Sequence, residues 1–214
     1  MKLQKPIICV VTRARGAIGS SERLALLSRL GAAAGAGATM IQVRERHLDD
    51  RALLAFVREV LDATRSTPCQ VIVNDRTDIA LTAGAHGVHL KNDGVSVADV
   101  RSIAPAALLV GRSVHSEAEA VATALGGGCD YLFFGTVYPS TSKPDDHAVA
   151  GIDRLRRVCA AVALPVVAIG GMTSARAAEV ARAGAAGVAV ISLFAEATDV
   201  FRVVTSLHDA LTSP

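Results

Sequence analysis

The chain has 214 residues, is 51% hydrophobic, 3% aromatic and 20% charged, and carries a formal net charge of +2. That length suits one well-buried α/β domain over residues 1–214 and is short for two. Lysines and arginines are scattered without a long run of like charge and few aromatics are present to stack bases, so nucleic acid is not an expected partner. The N-terminal MKLQKPIICVVT holds too few apolar residues before Arg13 for a signal segment or a membrane span. The expected location is therefore cytoplasmic, without membrane attachment. Cys9, Cys69, Cys129 and Cys159 lie far apart and form no C-x-x-C pair, and are read as reduced filler.

In chain order, short β-branched runs predict strands at residues 6–12, 39–44, 70–74, 87–90, 108–113, 131–135, 165–170 and 187–192. Between and after them, amphipathic stretches predict helices at 21–34, 49–65, 77–83, 97–103, 116–125, 152–163, 174–183 and 197–211. Apolar strands each followed by a helix mark a parallel sheet buried on both faces. A weak repeat, GAGATMIQV, TAGAHGVHL, GGGCDYLFF and RAGAAGVAV, places small residues just before a strand, where glycine turns a helix end into the next strand. Eight such units predict a single (β/α)8 TIM barrel. No G-x-G-x-x-G follows the first strand and no G-x-x-x-x-G-K-[ST] occurs, which removes dinucleotide and P-loop readings.

In such a barrel, chemistry gathers where strands run into their following loops. In GATMIQVRER, side chains two apart share a face, so Met40, Gln42 and Arg44 form one row. An arginine in an inner row needs an anion, because burying an unpaired charge costs several kcal/mol. The alternative is a structural pair with Asp75 or Glu45. AIGGMTS sets Gly170 and Gly171 between a strand and a helix start, and Ile191–Ser192 ends the last strand. Together they predict the phosphate site that barrels build after strands seven and eight. Asn74 and Asp75 either contact a ligand or cap the helix that starts at Thr77. His89 is either a core histidine or a site residue. His115 precedes Ser116, with Glu119 completing a capping-box pattern. Lys143 sits in a long Ser/Thr-rich loop of the kind that closes over ligands.

QVRER, VNDRTDIAL, GVHL, GRSVHS, DYLFFGTVYPSTSKP and PVVAIGGMT, in order from about residue 8 to 195, resemble the thiamine-phosphate synthase and TenI superfamily. The resemblance implies a barrel mouth that takes a small phosphorylated thiazole or thiamine phosphate, and a homo-oligomer is compatible with it. In the synthase branch, which condenses hydroxymethylpyrimidine diphosphate with thiazole phosphate using Mg2+, the resemblance assigns substrate contacts to Gln42, Arg44, Asn74, Ser140, Ser142 and Lys143, and metal binding to Asp75. Three positions depart: Arg46 replaces Lys, Lys91 replaces Gly, and Gly94 replaces a second metal-binding Asp. In the TenI branch of thiazole tautomerases, Arg44, Glu45, Arg46, Arg112, Ser113, His115, Ser116 and Met172 match as written. That branch implies a metal-free proton shift with no cofactor. Its histidine after F-G is Thr136 here, leaving His115 or Glu45 to move the proton. The TenI match makes the tautomerase the leading expectation. The synthase is the alternative, and a non-catalytic thiamine-phosphate-binding regulator the third reading.

Overall fold

The computed structural model describes residues 3–13, 19–140 and 149–213. Among them, eight parallel strands close into a barrel in sequence order: β1 (Ile7–Val11), β2 (Met40–Val43), β3 (Gln70–Asn74), β4 (Gly87–Leu90), β5 (Leu109–Val114), β6 (Tyr131–Gly135), β7 (Val166–Ile169) and β8 (Gly187–Val190). Pairing of β1 with β8 closes the ring, Cys9 lying opposite Ala189. Around it run α1 (Ser21–Gly35), α2 (Asp50–Thr64), α3 (Thr77–Ala83), α4 (Val97–Ile103), α5 (Glu117–Gly126), α6 (Ile152–Ala161), α7 (Ser174–Arg182), α8 (Ser192–Ala195) and α9 (Val200–Thr212). The expected (β/α)8 barrel is what the chain forms.

Each strand presents two faces. Outward residues such as Ile8, Val10, Ile41, Val43, Val71 and Val88 join the helices in one apolar layer. Inward residues Ile7, Cys9, Met40, Ile72, Tyr131, Phe133 and Val167 fill the barrel. Tyr131 fits only because Gly111 has no side chain, as a Cβ there would lie 2.1 Å from the Tyr131 Cζ. The helices follow the same logic. Leu53, Phe56, Val57 and Val60 give α2 its buried stripe, and the Asp49 cap accepts the Ala52 N–H at 2.8 Å, an arrangement worth about 1 kcal/mol.

Most boundaries fall within two residues of expectation, and the end of the chain departs in a way that has a physical reason. The last strand ends at Val190, and Ile191–Ser192 turn directly into α8, a single helical turn too short to carry a periodic pattern. The final helix starts at Val200, capped by Asp199, rather than at 197.

Candidate active site

The inward rows turn from apolar to polar at the C-terminal ends of the strands, where a cavity of about 1380 Å³ opens. Gln42, Asn74, His89 and Ser113 form its floor. Gln42 Nε2 donates to Asn74 Oδ1 at 2.9 Å, and Asn74 Nδ2 donates to Asp75 Oδ2 at 2.9 Å. The other oxygen of Asp75 accepts the Lys91 N–H at 2.8 Å. Asn74 and Asp75 do not cap α3, whose N-cap Arg76 makes no side-chain cap bond. They belong to the mouth. Asp75 holds φ +60 there, unusual for a residue with a Cβ and the kind of backbone strain found at ligand sites.

Arg44 leaves the end of β2 at this mouth, half-buried and with no carboxylate at ion-pair distance among the described residues. Burial lowers its pKa, and the neighbouring Arg46 lowers it further, against the opposing pull of Asp75 and Glu45. It remains a cation, half-buried at the mouth beside a second cation. Arg46 is exposed at the rim. Glu45, 6% exposed, accepts a short hydrogen bond from the Thr12 hydroxyl, whose oxygen accepts the Arg44 N–H at 3.1 Å. That pair ties the ends of β1 and β2 together and was not foreseen from the sequence.

His89 is 1% exposed, with Nδ1 3.3 Å from Tyr131 Oη and Nε2 2.9 Å from Ser113 Oγ. Burial, helped by the charge of Arg44, pushes its pKa down to about 3. It is a neutral, hydrogen-bonded histidine. His115 lies just past β5 and is exposed. Its Nδ1 donates to the Gly135 carbonyl at 2.7 Å, which leaves Nε2 as the lone-pair nitrogen. Its backbone N–H donates to Glu119 at 2.6 Å, and Ser116 caps α5. Arg112 faces outward and donates to the carbonyls of Asn92 and Val95, fastening the loop after β4.

Across the mouth, Gly170 (φ +103) and Gly171 (φ +62) lead from β7 into α7. A Cβ at Gly170 would meet Thr136 Cγ2 at 2.4 Å, and one at Gly171 would meet the Pro139 carbonyl at 2.4 Å. Both glycines are therefore demanded by the loop after β6, whatever a ligand asks of them, and Thr136 serves as a packing surface for this turn. Arg176, in the first turn of α7, donates to the Gly171 carbonyl at 2.5 Å and stacks 4.6 Å from the Tyr138 ring centre. A cation opposes the helix dipole at that position, and these two contacts hold it against the turn after β7. Ile191 and Ser192 line the same end, beside Ser140. Ser142 and Lys143 lie outside the described residues.

The donor set for a divalent cation is small. Asp75 supplies a carboxylate, Gly94 supplies none, and Asp93 is 82% exposed and faces the Lys91 ammonium at 3.6 Å. Among the described residues no group of three or more His, Cys, Asp or Glu could hold a metal. Nor does any described helix have the length and apolarity to cross a membrane.

The sequence profile described as thiamine monophosphate synthase matches residues 9–194. A thiamine-phosphate synthase of Chloroflexus aurantiacus is 42% identical over 191 residues, covering 89% of this chain and 86% of the relative. One from Methanoculleus marisnigri is 42% identical over 185 residues, covering 86% of each. Among solved structures, a thiamine phosphate pyrophosphorylase from Pyrococcus furiosus superposes with TM-score 0.83 at 32% identity, covering 96% of this chain and 95% of that one. A 3-hexulose-6-phosphate synthase, at 18% identity and TM-score 0.73 with 97% of this chain covered, shares the fold alone. By profile, sequence and structure, the chain belongs to the thiamine monophosphate synthase family of thiamine biosynthesis.

Proposed function

We propose that this protein is a thiamine-phosphate synthase, joining hydroxymethylpyrimidine diphosphate to thiazole phosphate and releasing diphosphate. The observation that carries this reading is the division of one mouth into two anion-directed ends. Arg44 and Arg46 follow β2, Lys91 follows β4 and Ser113 lies in β5, while Gly170 and Gly171 follow β7 and Ile191 and Ser192 follow β8. A reaction with two phosphorylated substrates needs both. The names of the relatives support the same choice.

In the proposed reaction, the thiazole ring nitrogen forms a bond to the pyrimidine methylene carbon. The C–O bond to diphosphate breaks, and the diphosphate leaves with the electron pair. Arg44 and Arg46 meet the charge that develops on the leaving group, positioned beforehand rather than reoriented during reaction. Gln42 and Asn74, locked to each other, present amide groups to the pyrimidine. The β7 and β8 turns hold the thiazole phosphate so that its nitrogen faces the reacting carbon.

Magnesium commonly binds through one or two carboxylates and substrate phosphates, and Asp75 fits that pattern as the protein's ligand. Bound there with the diphosphate, the ion would neutralise leaving-group charge. Lys91 stands close by as a further cation.

One observation favours a metal-free thiazole tautomerase instead: Gly94 provides no second carboxylate. Against it stand Thr136, packed on Gly170 where a base would be needed, and Glu45, buried and held by the Thr12 hydroxyl; His115 Nε2 is the nitrogen left for such a proton shift. A regulator that only binds thiamine phosphate would show no turnover. Calorimetry tests the two-ended mouth. With magnesium present, inorganic diphosphate should bind to protein already saturated with thiamine phosphate. Mutual displacement of the two would reduce the mouth to one anion site and sink the synthase reading.

A further inference from the structure

Tyr131, His89 and Ser113 make a chain of polar groups from the barrel core to its mouth. The Tyr131 ring occupies the space above Gly111, so its hydroxyl is held in place. Phe133 covers the His89 ring at 4.2 Å between centres. Among the described residues, the Tyr131 hydroxyl has one hydrogen-bonding neighbour, His89 Nδ1, and the Ser113 hydroxyl has one, His89 Nε2.

A neutral imidazole carries one N–H and one lone pair, so the chain can run in two directions. If Nδ1–H points at Tyr131, the phenol hydrogen is buried with no acceptor, and an unmet buried donor is costly. If Tyr131 O–H donates to Nδ1, then Nε2–H donates to Ser113 Oγ and nothing in the core is left unmet. Ser113 Oγ is then already an acceptor. Its own hydrogen has no protein acceptor among the described residues, and Ser113 lines the mouth.

We infer that Tyr131 and His89 are positioning residues that fix the polarity of Ser113, making it a hydrogen-bond donor to an anionic oxygen of the bound diphosphate. The donor role follows from the hydrogen-bond chain, and the identity of the acceptor rests on the synthase reading. With Arg44 close enough for its charge to act on His89, the surroundings favour a phosphate oxygen over any group that must itself donate. Polarised chains of this kind strengthen their terminal donor.

Nitrogen-15 NMR of labelled histidine reads the tautomer directly, and titration with inorganic diphosphate in magnesium reads the consequence. The unaltered protein should show His89 as the Nε2–H tautomer. Tyr131→Phe, which keeps the ring over Gly111, and Ser113→Ala should each weaken diphosphate binding by roughly tenfold, as loss of one hydrogen bond implies. The double variant should bind no more weakly than Ser113→Ala alone. An Nδ1–H tautomer overturns the inference, and so does Tyr131→Phe binding diphosphate as the parent does. Should Tyr131→Phe fail to fold by circular dichroism, the parent's tautomer and Ser113→Ala still decide. The expected tautomer without any diphosphate binding overturns the synthase reading alone. Diphosphate binding with the opposite tautomer overturns only this inference.

Discussion

At the scale of single residues, the proposed function makes Arg44 a charge placed for a ligand. Burial and the Arg46 charge both work against its cationic form, and Asp75 and Glu45 offset only part of this. Asp75 is instead occupied by the Asn74 amide and the Lys91 N–H. Arg44→Met keeps most of the apolar stem and removes the charge. Diphosphate affinity should drop by roughly 10- to 100-fold, because hydrogen bonds to charged groups contribute about 1.5–3 kcal/mol. The melting temperature should hold or rise, since a disfavoured charge has gone. A fall in melting temperature with affinity unchanged would make Arg44 a structural residue.

At the scale of elements, the proposed magnesium site would lie beside the loop after β4. A Cβ at Gly94 would sit 3.1 Å from Lys91 Cγ, so the missing carboxylate and the added lysine occupy one small space. Gly94→Asp with Lys91→Gly clears the contact and adds an oxygen ligand. The magnesium concentration giving half-maximal turnover should then fall by about tenfold or more, as an added hard ligand implies. An unchanged magnesium dependence would exclude this loop from the metal's surroundings. The strands that carry such loops were legible because Met40, Gln42 and Arg44 alternate with Ile41 and Val43, and because glycines mark four of the returns. The turn α8 was not, being four residues long. Nor was the reason for Gly170 and Gly171, since their sequence is equally suited to anion approach and to the Thr136 and Pro139 contacts seen in the fold. Arg176 and Thr12 act through partners distant in sequence or on a backbone carbonyl, which no local pattern announces.

At the scale of the whole molecule, closure of eight strands brings residues from β2 through β8 around one cavity, and the proposed function takes its two sides as separate anion sites. The sequence motifs pointed to residues that do line this cavity, while the matches at Glu45, His115 and Met172 favoured a tautomerase. The relatives at 42% identity, together with Thr136 packed on Gly170, shift the balance to the synthase. The decisive measurement is thiamine phosphate formation from purified hydroxymethylpyrimidine diphosphate and thiazole phosphate, with magnesium varied. The expected result is product that saturates with each substrate, one diphosphate released per thiamine phosphate, and a rate that rises with magnesium. A folded protein that binds thiamine phosphate yet forms none, while shifting the proton of a carboxythiazole phosphate without metal, would contradict the account.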